Sequence, residues 1–356
     1  MVFRMKEFWK AFILLLVTCS LFVTTANIVQ IKAQKTIEIK QLPIAIKPDG
    51  TIQGTNKIQR NGDTYYLTGN ITFSNTTGLT SGIAVQTNNI TLDGNGFTVQ
   101  AENSIKYGIL IGDNSNVTIR NFNLAGFEYG ICLNASTNAL IFGNTVSDCD
   151  TGILLGSYWI AITSYDLHRT EKISVINNTI SGNTRDLDIT YTRYTVVSGN
   201  IFTKNNLGIY TMVSNHNFII GNSFIENNGF AMTMYDSRNN TLYHNNFINN
   251  KVVDSIQIYA NWYCGYNAWD NGYEGNYWSD YSTRYTNATT NSSRVWNVPF
   301  YIKDSNSDMF PLCEPVDIEA VSIPEFPSSF VLAFFLVISS VILLSKKVWR
   351  VATLRN

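Results

Sequence analysis

Charged side chains are scarce in this chain: they make up 14% of its 356 residues, against about 25% in an average soluble domain. Basic residues gather only at the two ends. Residues 34–322 hold 17 Lys and Arg against 24 Asp and Glu, a net charge of −7. A polyphosphate needs clustered Lys and Arg, so this balance argues against nucleic acid as a partner. A helical period is also missing: no stretch of the repeating middle returns its apolar residues every 3.6 positions. The Leu-x-x-Leu-x-Leu spine of leucine-rich repeats is absent, and the repeat is too short for propeller blades. What is plentiful is apolar surface, 45% of the chain, which excludes a disordered protein, and asparagine, with 42 residues.

Two apolar runs frame the middle. Arg4, Lys6 and Lys10 precede an apolar stretch from Ala11 to Val23, which suits the core of a secretory signal and is short for a membrane span. Small residues at Thr24, Ala26 and Ala33 offer cleavage sites; a retained N-terminal anchor is the alternative. The second run, Phe330 to Ser345, extends to Phe326 and is followed at once by Lys346, Lys347 and Arg350. Such a flank stays cytoplasmic, which leaves the body outside. The segment Ile323-Pro324-Glu325-Phe326-Pro327 ahead of it resembles the Pro-Glu-Phe signature of archaeal sorting and anchoring tails. Cys19 falls in the signal. Cys132, Cys149, Cys264 and Cys313 remain. In an exported protein they permit disulfides, with Cys264–Cys313 a candidate staple and buried free thiols the alternative.

The middle repeats. Ile119, Ile141, Val175, Val197, Ile219 and Leu242 form one set; Leu124, Val146, Ile180, Phe202, Phe224 and Phe247 a second; Ile131, Ile153, Leu187, Ile209, Ala231 and Asp254 a third. All three step by 22, 34, 22, 22 and 23. The long step is one period carrying an insertion around Gly156–Glu171. Each period holds three short β-rich stretches parted by Asn, Gly and Asp, and three strands per turn stacked on the next turn make a parallel β-helix. Asn144, Asn178, Asn200, Asn222 and Asn245 keep the same steps, as do Asn183, Asn205, Asn227 and Asn250. Stacked amides of this kind bond along the axis at a corner, where Asn also tolerates left-handed backbone. The expected fold class is therefore all-β: a single-stranded parallel β-helix of about eight three-strand coils with a cap at each end.

The residues at this point resemble a family. Gly199-Asn200-Ile201-Phe202 and Gly221-Asn222-Ser223-Phe224 are similar to the units of NosD-like right-handed β-helix proteins, within a wider group of carbohydrate-binding proteins and sugar hydrolases. Asn267-Ala268-Trp269-Asp270-Asn271-Gly272 and Gly275-Asn276-Tyr277-Trp278-Ser279-Asp280-Tyr281 resemble the closing module of archaeal members. Pro299-Phe300-Tyr301-Ile302 and Asp308-Met309-Phe310-Pro311-Leu312 resemble its final strands. Where relatives carry an Asp- and Gly-rich loop, Thr286–Ser293 is Thr, Asn and Ser, which weakens a calcium role.

The resemblance implies copper, which needs converging His, Cys or Met. Only His168, His216 and His244 are present, the last two out of phase, while Met212 and Met234 share a phase with Met232 beside them. The third strand offers a second kind of site. With Leu187, Ile189, Ile209, Thr211, Ala231 and Thr233 inward, alternation turns Asp186, Asp188, Tyr210, Met212, Phe230, Met232 and Met234 outward. This is an aromatic and apolar stripe edged by carboxylates. Three readings stay open: the 156–171 insertion covers it, a glycan binds it, or Asp186 and Asp188 act as an acid/base pair with Arg185 and His168 near. The Gly-His-Gly and Arg-Ile-Lys marks of polygalacturonases and the acidic cluster of pectate lyases are missing. Asp304-x-Asn306-x-Asp308 has the opening spacing of a calcium loop but Met309 stands where Gly is needed.

The expected organisation is a signal over 1–33, an N-terminal cap over 34–62, coils over 63–261 and an aromatic cap over 262–315. A linker over 316–328, a membrane anchor over 329–345 and a cytoplasmic basic tail over 346–356 complete it. The expected role is a surface-anchored, non-catalytic protein that binds glycans or builds the envelope. A polysaccharide lyase or glycoside hydrolase is the rival reading, and a copper-binding accessory protein a further one.

Overall fold

The computed structural model describes residues 44–73, 80–156, 170–251, 257–261, 263–290 and 294–321. The signal, most of the insertion with His168, the apolar run at 326–345 and the basic tail lie outside the described residues. No helix among the described residues is long and apolar enough to cross a membrane.

Within them the chain winds as a parallel β-helix. Its first face is a column of eight parallel strands from Thr64–Leu67 to Thr241–Tyr243, which makes seven full turns where eight coils were expected. The second and third faces form one continuous sheet, because Thr98–Gly112 and Asn123–Asn134 run through the corner between them without a break. The first two sets of repeating residues are the register itself. Ile119, Ile141, Val175, Val197, Ile219 and Leu242 pair in order on the first face. Leu124, Val146, Ile180, Phe202, Phe224 and Phe247 do so on the second. All twelve are buried, and burial of such columns drives the winding.

The third face departs from expectation after Ile209. Its partner is Met232, one residue later than Ala231, and Tyr210 pairs with Thr233. The extra residue therefore enters between Asn227 and Met232, and a one-residue slip exchanges inside and outside. Met232 and Met234 point into the coil and are fully buried, contrary to the outward placement expected of them.

The corners are built from asparagine. Asn144, Asn178, Asn200, Asn222 and Asn245 each accept, at Oδ1, from the backbone N–H one coil earlier, at 2.9–3.0 Å. The Nδ2 of each donates to the Oδ1 one coil later, also near 2.9–3.0 Å. Asn183, Asn205, Asn227 and Asn250 form a second ladder of the same kind. A third, unforeseen one runs through Asn217, Asn240 and Asn267. The left-handed residue is not the ladder Asn but the one before it: Gly143, Asn177, Gly199, Gly221 and His244 have φ of 54–67°. The ladder Asn is thus free to extend into the strand and use its amide.

Aromatic rings continue the second face into the C-terminal cap. Phe202, Phe224, Phe247, Trp278 and Phe300 stack in one column with centres 5.0, 5.0, 4.3 and 4.1 Å apart. The cap explains its own sequence. In Asn267-Ala268-Trp269 the backbone N–H of Asn267 and the indole N–H both donate to Asn306 Oδ1, at 3.0 Å. In Asn276-Tyr277-Trp278 the equivalent pair donates to Asp308 Oδ2, at 2.7 and 2.9 Å. Asn306 and Asp308, which have calcium-loop spacing, therefore close ladders with their oxygens. The candidate Cys264–Cys313 staple is not formed: both thiols are free, and Cys264 donates to the Met234 carbonyl at 3.1 Å. At the other end, Ile44–Ile46 pairs antiparallel with Ile52–Gln53, and Ile58–Asn61 with Thr64–Leu67, which covers the first coil.

Two outcomes are expected in urea unfolding. Asn222→Ala leaves the buried Asn200 N–H without its acceptor and removes the bonds to the Val197 carbonyl and to Asn245 Oδ1, and costs about 2–3 kcal/mol. Val213, a β-branched residue at φ 50°, is strained there, and Val213→Asn gains about 1 kcal/mol.

Candidate functional site

The outer surface of the third face collects most of the chemistry-bearing side chains. Register places Leu110, Cys132, Leu154, Asp188, Tyr210, Thr233 and Tyr259 in one outward row, one per coil. Met212 and Tyr235 form the row beside it. Along these rows Tyr210 and Tyr235 lie 5.5 Å apart, Tyr235 and Tyr259 5.7 Å, and Phe230 meets Tyr259 at 5.6 Å. Higher up the same face Tyr107 stacks on Tyr129 at 5.5 Å. Cations rest on the rings: Lys106 over Tyr107, Arg185 over Tyr210 at 4.5 Å and Lys303 over Tyr259. Successive coils thus set half-buried rings alternately in the two adjacent rows, with centres 5.5–5.7 Å apart.

Asp188 sits at the head of this row. Arg185 Nη1 donates to its Oδ2, and the Thr190 hydroxyl to its Oδ1. Burial raises its pKa from the ordinary carboxylate value, and the bonds from Thr190 and Arg185 oppose that rise. Two coils earlier in the row, burial pushes the Cys132 thiol up to about 12, so it is no thiolate nucleophile.

Asp186 lies elsewhere. Its position in the coil is Gly82, Gly108, Gly130, Gly152, Gly208 and then Ala231 in the others. A Cβ on Gly152 would meet Ile180 and Asn183, and one on Gly208 would meet Phe224, all of them interior side chains. Asp186 accordingly carries its carboxyl into the coil. It is fully buried, its Oδ1 accepts from Asn183 Nδ2 at 3.0 Å, and its Oδ2 has no partner. Burial raises its pKa well above the ordinary carboxylate value. The expected outward pair is corrected: Asp186 and Asp188 face opposite sides of the wall and share no partner. Alternation failed here because the corner between the second and third faces puts two successive residues, Asp186 and Leu187, inside.

Of the expected binding residues, Tyr210, Met212 and Phe230 lie on the outer row and Met232 and Met234 do not. Tyr235, Tyr259, Tyr107, Tyr129 and Lys303 were missed. Tyr235 was hidden by the one-residue slip, since in the expected register it points inward.

The family profile described as "Right handed beta helix region" matches residues 107–292, more than half of the chain. The chain belongs to the right-handed β-helix family. A second profile, "Periplasmic copper-binding protein (NosD)", matches residues 49–162 of this β-helix. The Gly-Asn units and aromatic block that carry the NosD-like resemblance lie beyond that stretch. Among solved structures, the periplasmic alginate epimerase AlgG is 14% identical with a TM-score of 0.38, over 51% of this chain and 46% of that one. DFA-IIIase from Arthrobacter chlorophenolicus is 10% identical with a TM-score of 0.39, over 49% and 43%. The β-helix thus spans less than half the length of either, and a likeness of this degree carries no argument about chemistry. No curated protein matches the chain.

Copper, implied by the NosD description, does not fit the residues present. Met232 and Met234 are enclosed in the coil while Met212 is outside. His216 stacks on Tyr194 at one corner, and His244 Nε2 bonds Glu274 at 2.8 Å at another. Both histidines are left-handed corner residues. Among the described residues no group of His, Cys, Asp and Glu converges on a metal position.

The misplaced carboxyl yields a stability test. Asp186 has a folded pKa raised above its ordinary 3.8, so its contribution is favourable below that value and is lost as pH rises past it. Asp186→Gly restores the residue of the other coils and frees Asn183 Nδ2 for Asn205. The variant is expected to exceed the parent by about 1 kcal/mol or more at pH 8. The gain shrinks towards pH 4, as read by urea unfolding at both values.

Proposed function

We propose that this β-helix is exported, anchored by residues 329–345, and binds glycan chains along the outer third face without cleaving them. One observation carries the reading: Tyr210, Tyr235, Tyr259 and Phe230 form a continuous row of half-buried rings. Sugar rings present an apolar C–H face that packs on such rings, while their hydroxyls need charged hydrogen-bonding groups at the edge. Arg185 and Lys303, which rest on the rings, supply these. The periplasmic description of the matched NosD profile supports export. The N-terminal charged and apolar pattern supports it too.

The placement of the carboxyls supports binding without cleavage. A retaining or inverting mechanism needs two carboxyl groups facing one bond across roughly 5–9 Å of open space. Asp188 is held by Arg185 and Thr190, and Asp186 faces the core.

The test is a glycan-array screen with the full chain, followed by calorimetry on the best oligosaccharide. Tyr210→Ala and Tyr259→Ala are each expected to weaken binding about tenfold through lost ring packing, while oligosaccharide length stays unchanged on prolonged incubation. Absence of any retained glycan sinks the binding reading. Shortening of the oligosaccharide that Asp188→Asn abolishes restores the enzyme.

A further inference from the structure

The chain contains nine Asn-x-Ser/Thr triplets, seven of them among the described residues. Such a triplet is the acceptor of N-linked oligosaccharide in an exported protein when it lies on a surface loop. The corners of the coil need asparagine and so create most of these triplets, and the structure separates them. Asn70 Oδ1 accepts from the Thr98 N–H at 2.9 Å, and Asn89 Oδ1 from Asn116 Nδ2 at 2.7 Å. Asn134 Oδ1 is buried. In Asn177-Asn178-Thr179 and Asn239-Asn240-Thr241 the middle residue is a buried rung of a ladder. These six triplets belong to the coil.

Asn287 is different. It lies in the cap, in the Thr, Asn and Ser stretch that stands where relatives carry Asp and Gly. Its loop has a fixed base. On one side Tyr285 packs on Tyr281 with ring centres 4.9 Å apart. On the other the Thr289 carbonyl accepts from the Asn297 N–H, and the Thr289 N–H donates to Asn297 Oδ1, both at 2.9 Å. Between them Ala288 packs on the core, which leaves Asn287 and Thr289 exposed on either side of it. Neither side chain has a hydrogen bond to lose among the described residues. The amide and hydroxyl that define the triplet therefore both face solvent, from a loop that the coil does not use.

We infer that Asn287 carries an N-linked oligosaccharide, with Thr289 as the hydroxyl residue that marks it for transfer. This rests on the export reading above and is independent of what the ring row binds. The donor is of the polyprenyl-phosphate-linked oligosaccharide class. Asn287 Nδ2 bonds to the anomeric carbon of the first sugar as the bond from that carbon to the phosphate oxygen breaks. The polyprenyl phosphate leaves with the electron pair, and an amide proton passes to a base of the transferase. The position also suits a bulky group. Thr290 pairs with Trp296, Val295 with Leu312 and Leu312 with Tyr277, so among the described residues the sheet of the second face ends at Thr290. A hydrated sugar chain beside that edge keeps it from pairing with another molecule.

Parent and variant full chains are purified from the cells that make the protein, and surface exposure is scored on intact cells with a membrane-impermeant amine reagent. Trypsin releases residues 285–294 as one peptide, since Arg284 and Arg294 flank it. Electron-transfer fragmentation is expected to place an oligosaccharide on Asn287. Asn287→Gln and Thr289→Ala are expected to lose it completely and Thr289→Ser to keep it, with the urea midpoint unchanged in all three. A surface-exposed chain with bare Asn287 overturns the inference and leaves export intact. A chain that is neither exposed nor modified overturns both. Sugar found only on the hydroxyls of this peptide, or kept on Asn287 in Thr289→Ala, also overturns it.

Discussion

The fold depends on one hydrogen-bond arrangement, in which a corner asparagine of each coil serves the backbone of the coil before it and the amide of the coil after it. A coil of about 22 residues must turn three times, and each turn leaves a backbone N–H facing inward with no strand partner. The Oδ1 of the next coil's asparagine receives it, as at Asn178, Asn200 and Asn222. Without this acceptor the winding would bury unsatisfied donors at every corner, and the burial of Ile, Val and Phe columns could not offset them. The abundance of asparagine is thus a requirement of the corners.

The ladders also have a direction. Each Nδ2 sends one N–H back to a carbonyl of the coil before and the other to the Oδ1 of the coil after, so the Asn-to-Asn bonds all run one way and the last coil presents donors. Two of the three ladders end on a carboxyl. The first reaches Asp308, and the second passes from Asn250 through Gln257 to Asp280, at 3.0 and 2.6 Å. The arrangement parallels an acidic residue at the positive end of a helix. Burial nonetheless lifts Asp308 to a pKa of about 7, so desolvation outweighs the donors that Asn276, Trp278 and Phe310 supply. The two Asn-x-Trp units of the cap are the means by which chain and indole donors converge on one oxygen.

Much of this was legible beforehand. Sets such as Phe202, Phe224 and Phe247 fixed the register of two faces, because a residue buried between identical neighbours leaves a strict spacing. The third ladder was not legible, since Thr195 begins it and only three asparagines follow. The candidate site was read only in part. Tyr210, Met212 and Phe230 were placed correctly. Asp186 was not, because strict alternation ignores a corner where two successive side chains turn inward. Met232 and Met234 were misplaced by one residue of slip, which no amount of apolar patterning distinguishes when both alternatives are methionine, alanine and threonine.

The segment between Asn227 and Met232 shows what such a wall tolerates. Whole turns touch only the turns before and after them, so the stack can lengthen or shorten by complete windings and keep its ladders. A single added residue within a winding does the reverse. Here it exchanged the lining and the exterior of one wall for the rest of its length. Parity, more than composition, decides which side chains this surface offers to its surroundings.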